Sequence, residues 1–157
     1  MTGNIPKPKE GEVLIQVVFA GVNFADVVMW RGFYKPAPKP PFIPGFEVSG
    51  TVSAVGENVK NFKRGDRILA FTRFGGYTNY LVVPEIQVRI IPPVINLESA
   101  AGFPAVYSTA WIALKEVARA RAGETVLMHA IAGGLGIAVL QIAKHLELTV
   151  IGTASTD

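Results

Sequence analysis

The sequence predicts two architectures in succession, a compact all-β unit followed by the opening of an α/β unit, and three observations carry that prediction. Up to about Ile91, short runs rich in valine, isoleucine and aromatics are divided by turn residues, as in a small antiparallel β fold. After Pro93 the chain becomes alanine-rich, with apolar residues at helical spacing. Near its end the run Thr125-Val-Leu-Met-His129-Ala-Ile-Ala-Gly133-Gly134-Leu-Gly136 passes straight into a glycine-rich turn that opens an amphipathic helix.

In the first part, strands are predicted over Glu12–Phe19, Val48–Val55, Arg67–Phe71 and Tyr77–Val83. Lys7-Pro8-Lys9-Glu10-Gly11 precedes the first, Gly56-Glu57-Asn58 and Lys63-Arg64-Gly65-Asp66 separate later ones, and Pro92-Pro93 closes the set. Phe33–Pro44 carries five prolines in twelve residues, which fix φ and remove backbone donors, so it should be an extended loop. In the second part, Leu97–Ala105 and Ser108–Ala118 read as helices interrupted near Pro104, with a weak cap around Leu97-Glu98-Ser99. A strand then runs to Ala130. From Gly134 to Leu146, Leu135, Val139, Ile142 and Leu146 share one helix face, which should pack on a sheet. Thr149–Gly152 is the next strand and completes a βαβ unit. The expected division is residues 1–93 and 94–157.

Composition narrows the function classes. Half the residues are hydrophobic and 17% are charged, as in a globular protein. No uninterrupted apolar stretch approaches the ~20 residues of a membrane span. No secretory leader pattern is visible, so a cytoplasmic location is expected. The absence of cysteine excludes disulfides, thiolate chemistry and cysteine-ligated zinc. The net charge of +3 is spread between apolar segments rather than gathered in the basic stripe that nucleic-acid binding needs. His129, on a strand read as buried, and His145, near a helix end, read as structural rather than catalytic.

The strand, glycine turn and helix N-terminus form a cradle for a dinucleotide pyrophosphate. A turn without side chains lets the backbone approach phosphate, and the first N–H groups of the helix face it. Ile131 occupies the first glycine position of the fingerprint, while Gly133 and Gly136 fill the second and third. A bulky first residue predicts a slightly wider turn, and a purely structural turn stays open as an alternative. The second strand ends in Gly152-Thr153-Ala154-Ser155, with no carboxylate to bind a ribose 2′-hydroxyl or repel a 2′-phosphate. NADPH is therefore favoured over NADH, although Asp157 lies close by.

Across almost its whole length, and in order, the chain resembles the zinc-independent quinone oxidoreductases of the medium-chain dehydrogenase/reductase superfamily. The matching segments are Ala20-Gly-Val-Asn23-Phe-Ala-Asp26, Arg31-Gly-Phe-Tyr34, Pro41-Phe-Ile-Pro44-Gly45-Phe-Glu47-Val-Ser-Gly50, Val55-Gly56-Glu-Asn-Val59 and Gly65-Asp66-Arg67-Ile. They continue through Gly75-Gly76-Tyr77, Ala100-Ala101 with Pro104, Ser108-Thr109-Ala110-Trp111 and Ala132-Gly133-Gly134-Leu-Gly136. Val22-Asn-Phe-Ala-Asp26 and Gly152-Thr-Ala-Ser155 are similar to the vesicle amine transport protein 1 branch.

The resemblance implies a GroES-like β-barrel domain followed by the first part of a doubly wound Rossmann sheet, with NADPH bound and hydride passed to a quinone or activated alkene. It implies no metal. Asn23 stands where relatives place a ligand cysteine and Phe46 where they place a histidine, leaving Glu47, which reads more readily as a buried, paired carboxylate. Asn23, Asp26 and Tyr34 match the catalytic side. Asn23, Thr109, Ala132, Gly133, Gly134, Leu135, Gly136, Thr153 and Ser155 match cofactor-binding positions. A turn residue at Asn23, a loop cap at Asp26, a core aromatic at Tyr34 and a helix-surface hydroxyl at Thr109 remain alternatives. An enoyl reductase of fatty-acid or polyketide type and a non-enzymatic binding protein remain alternative functions. The resemblance also implies a missing N-terminal hairpin and the rest of the Rossmann sheet, so the chain is expected to be a fragment or shortened form whose open edges are hidden in a homodimer, by a missing segment or by aggregation, with the homodimer the expected partner state.

Overall fold

The structure, a computed structural model, describes residues 4–155 and divides into two compact units, the first running to Pro104 and the second beginning at Ala105.

In the first unit, strands β1 (Glu12–Ala20), β2 (Glu47–Val55), β3 (Arg67–Phe71), β4 (Tyr80–Pro84) and β5 (Val88–Ile90) form one antiparallel sheet in the order β4-β1-β2-β3-β5. Val13 and Ile15 of β1, Val48 and Val52 of β2, Ile68 and Ala70 of β3, and Val83 of β4 recur at the two-residue period of a strand, and together they form its core. The β1–β2 ladder shifts register twice, between Leu14 and Ile15 and between Val17 and Phe19.

Several elements differ from the sequence expectation. Helix α1 (Phe24–Trp30) follows β1 directly and was not foreseen. The fourth strand begins at Tyr80 rather than Tyr77 because the Tyr77 N–H is spent on the Pro44 carbonyl at 3.0 Å, and the Gly76 N–H on Gly45. Phe33–Pro44 carries no regular element, as its prolines require. Helix α2 (Leu97–Ala101) is firmly capped rather than weakly: Asn96 Oδ1 accepts from the Ser99 N–H at 2.7 Å. It packs against β1, β2 and β3, and its Leu97 carbonyl accepts from the buried Ser49 hydroxyl at 2.5 Å.

Helix α3 (Pro104–Trp111), all but its first residue in the second unit, places its proline first, where a missing N–H costs nothing. It continues into a π-helical turn, Ile112–Val117. Strands β6 (Thr125–His129) and β7 (Thr149–Thr153) pair in parallel, joined through α4 (Gly134–His145), so the βαβ unit is present. Val139 of the foreseen helix face is buried together with Ala138, Ala143, Ala110 and Leu114. Leu135, Ile142, Leu146 and, from the strands, Val126, Met128 and Val150 pack on that cluster. His129 departs from expectation: it is exposed, because residues 125, 127 and 129 lie on the sheet face opposite α4. No helix among the described residues is long and apolar enough to cross a membrane.

Candidate functional site

The residues singled out by sequence fall into two groups, one in each unit. In the first, Asn23 caps α1, and Asn23 and Asp26 close a capping box in which Asp26 Oδ2 accepts from the Asn23 N–H at 2.9 Å. Asp26 Oδ1 accepts from the Gly45 N–H at 3.2 Å, tying the helix to the strand entry of β2. Both carboxylate oxygens of this 6% exposed residue are thus engaged with the backbone. Asn23 Nδ2 donates to Glu47 Oε1 at 2.8 Å, and Glu47 is only 2% exposed. The buried, paired carboxylate expected at Glu47 is what the structure shows.

Tyr77 completes this network and was missed as a site residue, although Gly75-Gly76-Tyr77 stood out in the sequence. Its hydroxyl lies 3.5 Å from the Gly21 carbonyl. Partial desolvation of the hydroxyl in a residue that is otherwise exposed, then a hydrogen bond to Asp26 and the negative charges of Asp26 and Glu47, raise its phenol above the ordinary tyrosine range. The phenol therefore stays protonated and remains a donor.

Tyr34 is partly buried and stands edge-on to Phe46, with ring centres 5.8 Å apart. Phe46 meets Phe74 at 6.1 Å, and Phe74 meets Phe42 edge-on at 5.8 Å. Phe46 and Phe74 are thus the inner rings of an aromatic row that runs from Tyr34 to Phe42. No group of three or more His, Cys, Asp or Glu side chains that could hold a metal ion occurs among the described residues.

The second group is the turn between β6 and α4. Ala130 takes a left-handed conformation (φ 56°), and the Gly133 N–H closes back on the Ala130 carbonyl at 3.0 Å. Intrahelical bonding starts with the Ile137 N–H on the Gly133 carbonyl at 3.0 Å, so the N–H groups of Gly134, Leu135 and Gly136 precede the first helical bond and point out of the helix end. Two glycines are needed here for different reasons. At Gly136 a Cβ would overlap the Ile131 carbonyl, so the turn closes only without a side chain. At Gly133 a Cβ would press on the Ala130 carbonyl at 3.3 Å, a tight contact, and would meet no other atom within 4 Å. The residues present therefore fit a dinucleotide pyrophosphate.

Ile131 at the first glycine position is accommodated by its neighbour strand. Its N–H donates to the Thr153 carbonyl at 3.0 Å, extending the β6–β7 ladder, and its side chain covers Gly152, where a Cβ would meet Ile131 Cβ at 2.7 Å. Thr153 Oγ1 lies 2.9 Å from His129 Nδ1. Thr109 Oγ1 donates to the Ala105 carbonyl one turn back, at 2.7 Å, which is the helix-surface bonding held open as its alternative. Ala132, Ser155 and the glycines of the turn other than Gly136 are exposed. Asp157 lies outside the described residues.

With this geometry in hand, residues 9–93 match the alcohol dehydrogenase GroES-like domain. The chain is 42% identical over 154 residues to a quinone oxidoreductase of Sus scrofa, covering 98% of this chain and 47% of that one. Among solved structures, the human synaptic vesicle membrane protein VAT-1 homolog-like protein superposes with a TM-score of 0.93 at 40% identity, over 98% of this chain and 50% of that chain. Escherichia coli quinone oxidoreductase complexed with NADPH superposes with a TM-score of 0.91 at 32% identity, over 99% and 48%. The chain spans between about a third and a half of the length of the curated relatives it matches.

Proposed function

Because this chain belongs to the alcohol dehydrogenase GroES-like domain family, we propose that its activity is the NADPH-dependent, metal-independent reduction of a quinone or an activated alkene. The observation that carries the proposal is the β6–α4 turn: three outward N–H groups at a helix N-terminus, beside a glycine whose missing side chain leaves room for phosphate. The names of the relatives support the reaction class, and the E. coli neighbour's complex supports the cofactor.

The roles of the residues follow from their chemistry. Gly134, Leu135 and Gly136 donate their N–H groups to the pyrophosphate, and Gly133 and Ala132 keep the approach clear. Thr153 and Ser155 offer hydroxyls to a 2′-phosphate at a strand end where Gly152–Ser155 holds no carboxylate. When bound, the nicotinamide supplies the hydride. Without a Lewis acid, polarisation of the substrate carbonyl falls to hydrogen-bond donors. The Asn23 amide, fixed through its bond to Glu47, is the donor we assign; Asp26 holds the helix that carries it, and Tyr34 offers a ring against which a flat substrate packs. Thr109 is retained as a cofactor-side hydroxyl.

The test is loss of reduced-nicotinamide absorbance with a benzoquinone acceptor, run with and without a chelator. Turnover insensitive to the chelator is expected. Turnover abolished by the chelator and restored by zinc would contradict the metal-independent reading, and turnover of 2-enoyl thioesters without quinone reduction would replace it with an enoyl reductase.

A further inference from the structure

His129 has no role in the function proposed above, yet it occupies a distinctive place. It is the last residue of β6, one step before the phosphate turn, and its register partner across the parallel ladder is Thr153, the last residue of β7. The two side chains bond to each other, Nδ1 to Oγ1 at 2.9 Å, and both residues are exposed. They therefore form a polar pair at the carboxyl ends of two parallel strands, the end at which α/β sheets receive ligands.

The bond between them has a consequence for what the pair offers outward. If the Thr153 hydroxyl donates to Nδ1, the imidazole proton sits on Nε2, which then presents a donor. If Nδ1–H donates to Thr153 Oγ1, the hydroxyl proton is released to donate instead. In the imidazolium form both Nε2–H and Oγ1–H donate at once. In every protonation state the pair presents at least one donor, and with positive charge it presents two. No carboxylate lies in Gly152–Ser155 to compete for them.

We propose that His129 and Thr153 together form the subsite that reads the 2′-phosphate of the cofactor, with His129 contacting the phosphate and also fixing the Thr153 hydroxyl. This deepens the NADPH reading of the same site and rests on it. It replaces the assignment of His129 as merely structural.

The experiment compares binding of NADPH and NADH by calorimetry, and of 2′,5′-ADP against 5′-AMP as probes lacking the nicotinamide, for the unsubstituted chain and for H129L, H129Q and T153V. Circular dichroism establishes that each variant is folded; the exposure of both side chains makes the substitutions tolerable. His129→Leu should lower the preference for NADPH by about tenfold, equivalent to about 1.4 kcal/mol, while leaving NADH affinity unchanged. His129→Gln, which keeps an outward N–H, should recover part of the preference, and Thr153→Val should lose part of it. An unchanged NADPH-to-NADH ratio in folded H129L and T153V would overturn this proposal and the Thr153 role with it, while leaving the NADPH reading of the site in place. Equal affinity of the unsubstituted chain for both cofactors, or none for NADPH, would overturn the NADPH reading and this inference with it.

Discussion

An alanine at position 136 would place its Cβ 2.5 Å from the carbonyl carbon of Ile131 and 2.6 Å from its Cα. Helix propensity alone predicts that Gly136→Ala stabilises α4, since alanine is favoured over glycine by about 1 kcal/mol in a helix. The overlap opposes this. Its partner is backbone, which cannot rotate aside as a side chain would, so the turn must open or the helix must slide, and overpacking of this kind costs about 1–3 kcal/mol. All three contacts are with backbone and well under 3.0 Å, which puts the cost at the upper end of that range, so the expected net effect is a loss of about 2 kcal/mol. Gly133→Ala is the control: with φ at −79° and its nearest obstacle 3.3 Å away, it should fold with a loss below about 1 kcal/mol. Yet it should weaken NADPH binding by about tenfold or more, because its methyl occupies the phosphate approach. Urea unfolding followed by circular dichroism, with calorimetric titration of NADPH, separates the two effects. A Gly136→Ala chain as stable as the parent, or a Gly133→Ala chain that binds NADPH unchanged, would refute the geometry from which both expectations are drawn.

Gly152→Ala should destabilise the second unit through collision with the Ile131 side chain, and adding Ile131→Ala should restore part of the loss, so a double-mutant cycle by urea unfolding should give clear non-additivity. Asp26→Asn replaces one of two carboxylate acceptors by an amide donor facing a backbone N–H, and should cost about 1–3 kcal/mol in thermal unfolding. The phenol of Tyr77 is raised in the folded state, so the stability it contributes is complete below the ordinary tyrosine pKa of about 10 and is lost as pH climbs above it. Spectrophotometric titration should therefore show a tyrosine component that ionises late, and Tyr77→Phe should remove it. A titration unchanged by Tyr77→Phe would contradict the assignment.

The parts of the fold legible in the sequence were those whose side chains are sorted by burial. The core strands β1, β2 and β3 alternate around Ile15, Val52 and Ile68, and α4 carries its stripe from Leu135 to Leu146, so both announced themselves by period. Helix α1 did not, because it is seven residues long and exposes Phe24 and Trp30, at 81% and 85%, so no buried stripe marks it. Strand β5 has three residues, too few for a period to register. Tyr77 looks like a strand residue in composition, and only its bonds to Pro44 and toward Gly21, more than thirty residues distant in sequence, make it a loop residue serving the Asp26 network. Within the site, Gly133 and Gly136 were legible as a pair, but their separate duties depend on where Ile131 and Ala130 lie. His129 was expected on a buried strand, and it is exposed because its side of β6 is the one opposite α4.

The central claim is that the β6–α4 turn cradles NADPH, and the most direct measurement is to follow the backbone amide resonances of the chain while NADPH is added. The account predicts the largest shifts at Gly133, Gly134, Leu135 and Gly136, with Thr153 moving alongside them. A folded chain whose turn amides do not move at saturating NADPH, or whose shifts gather elsewhere, would contradict it.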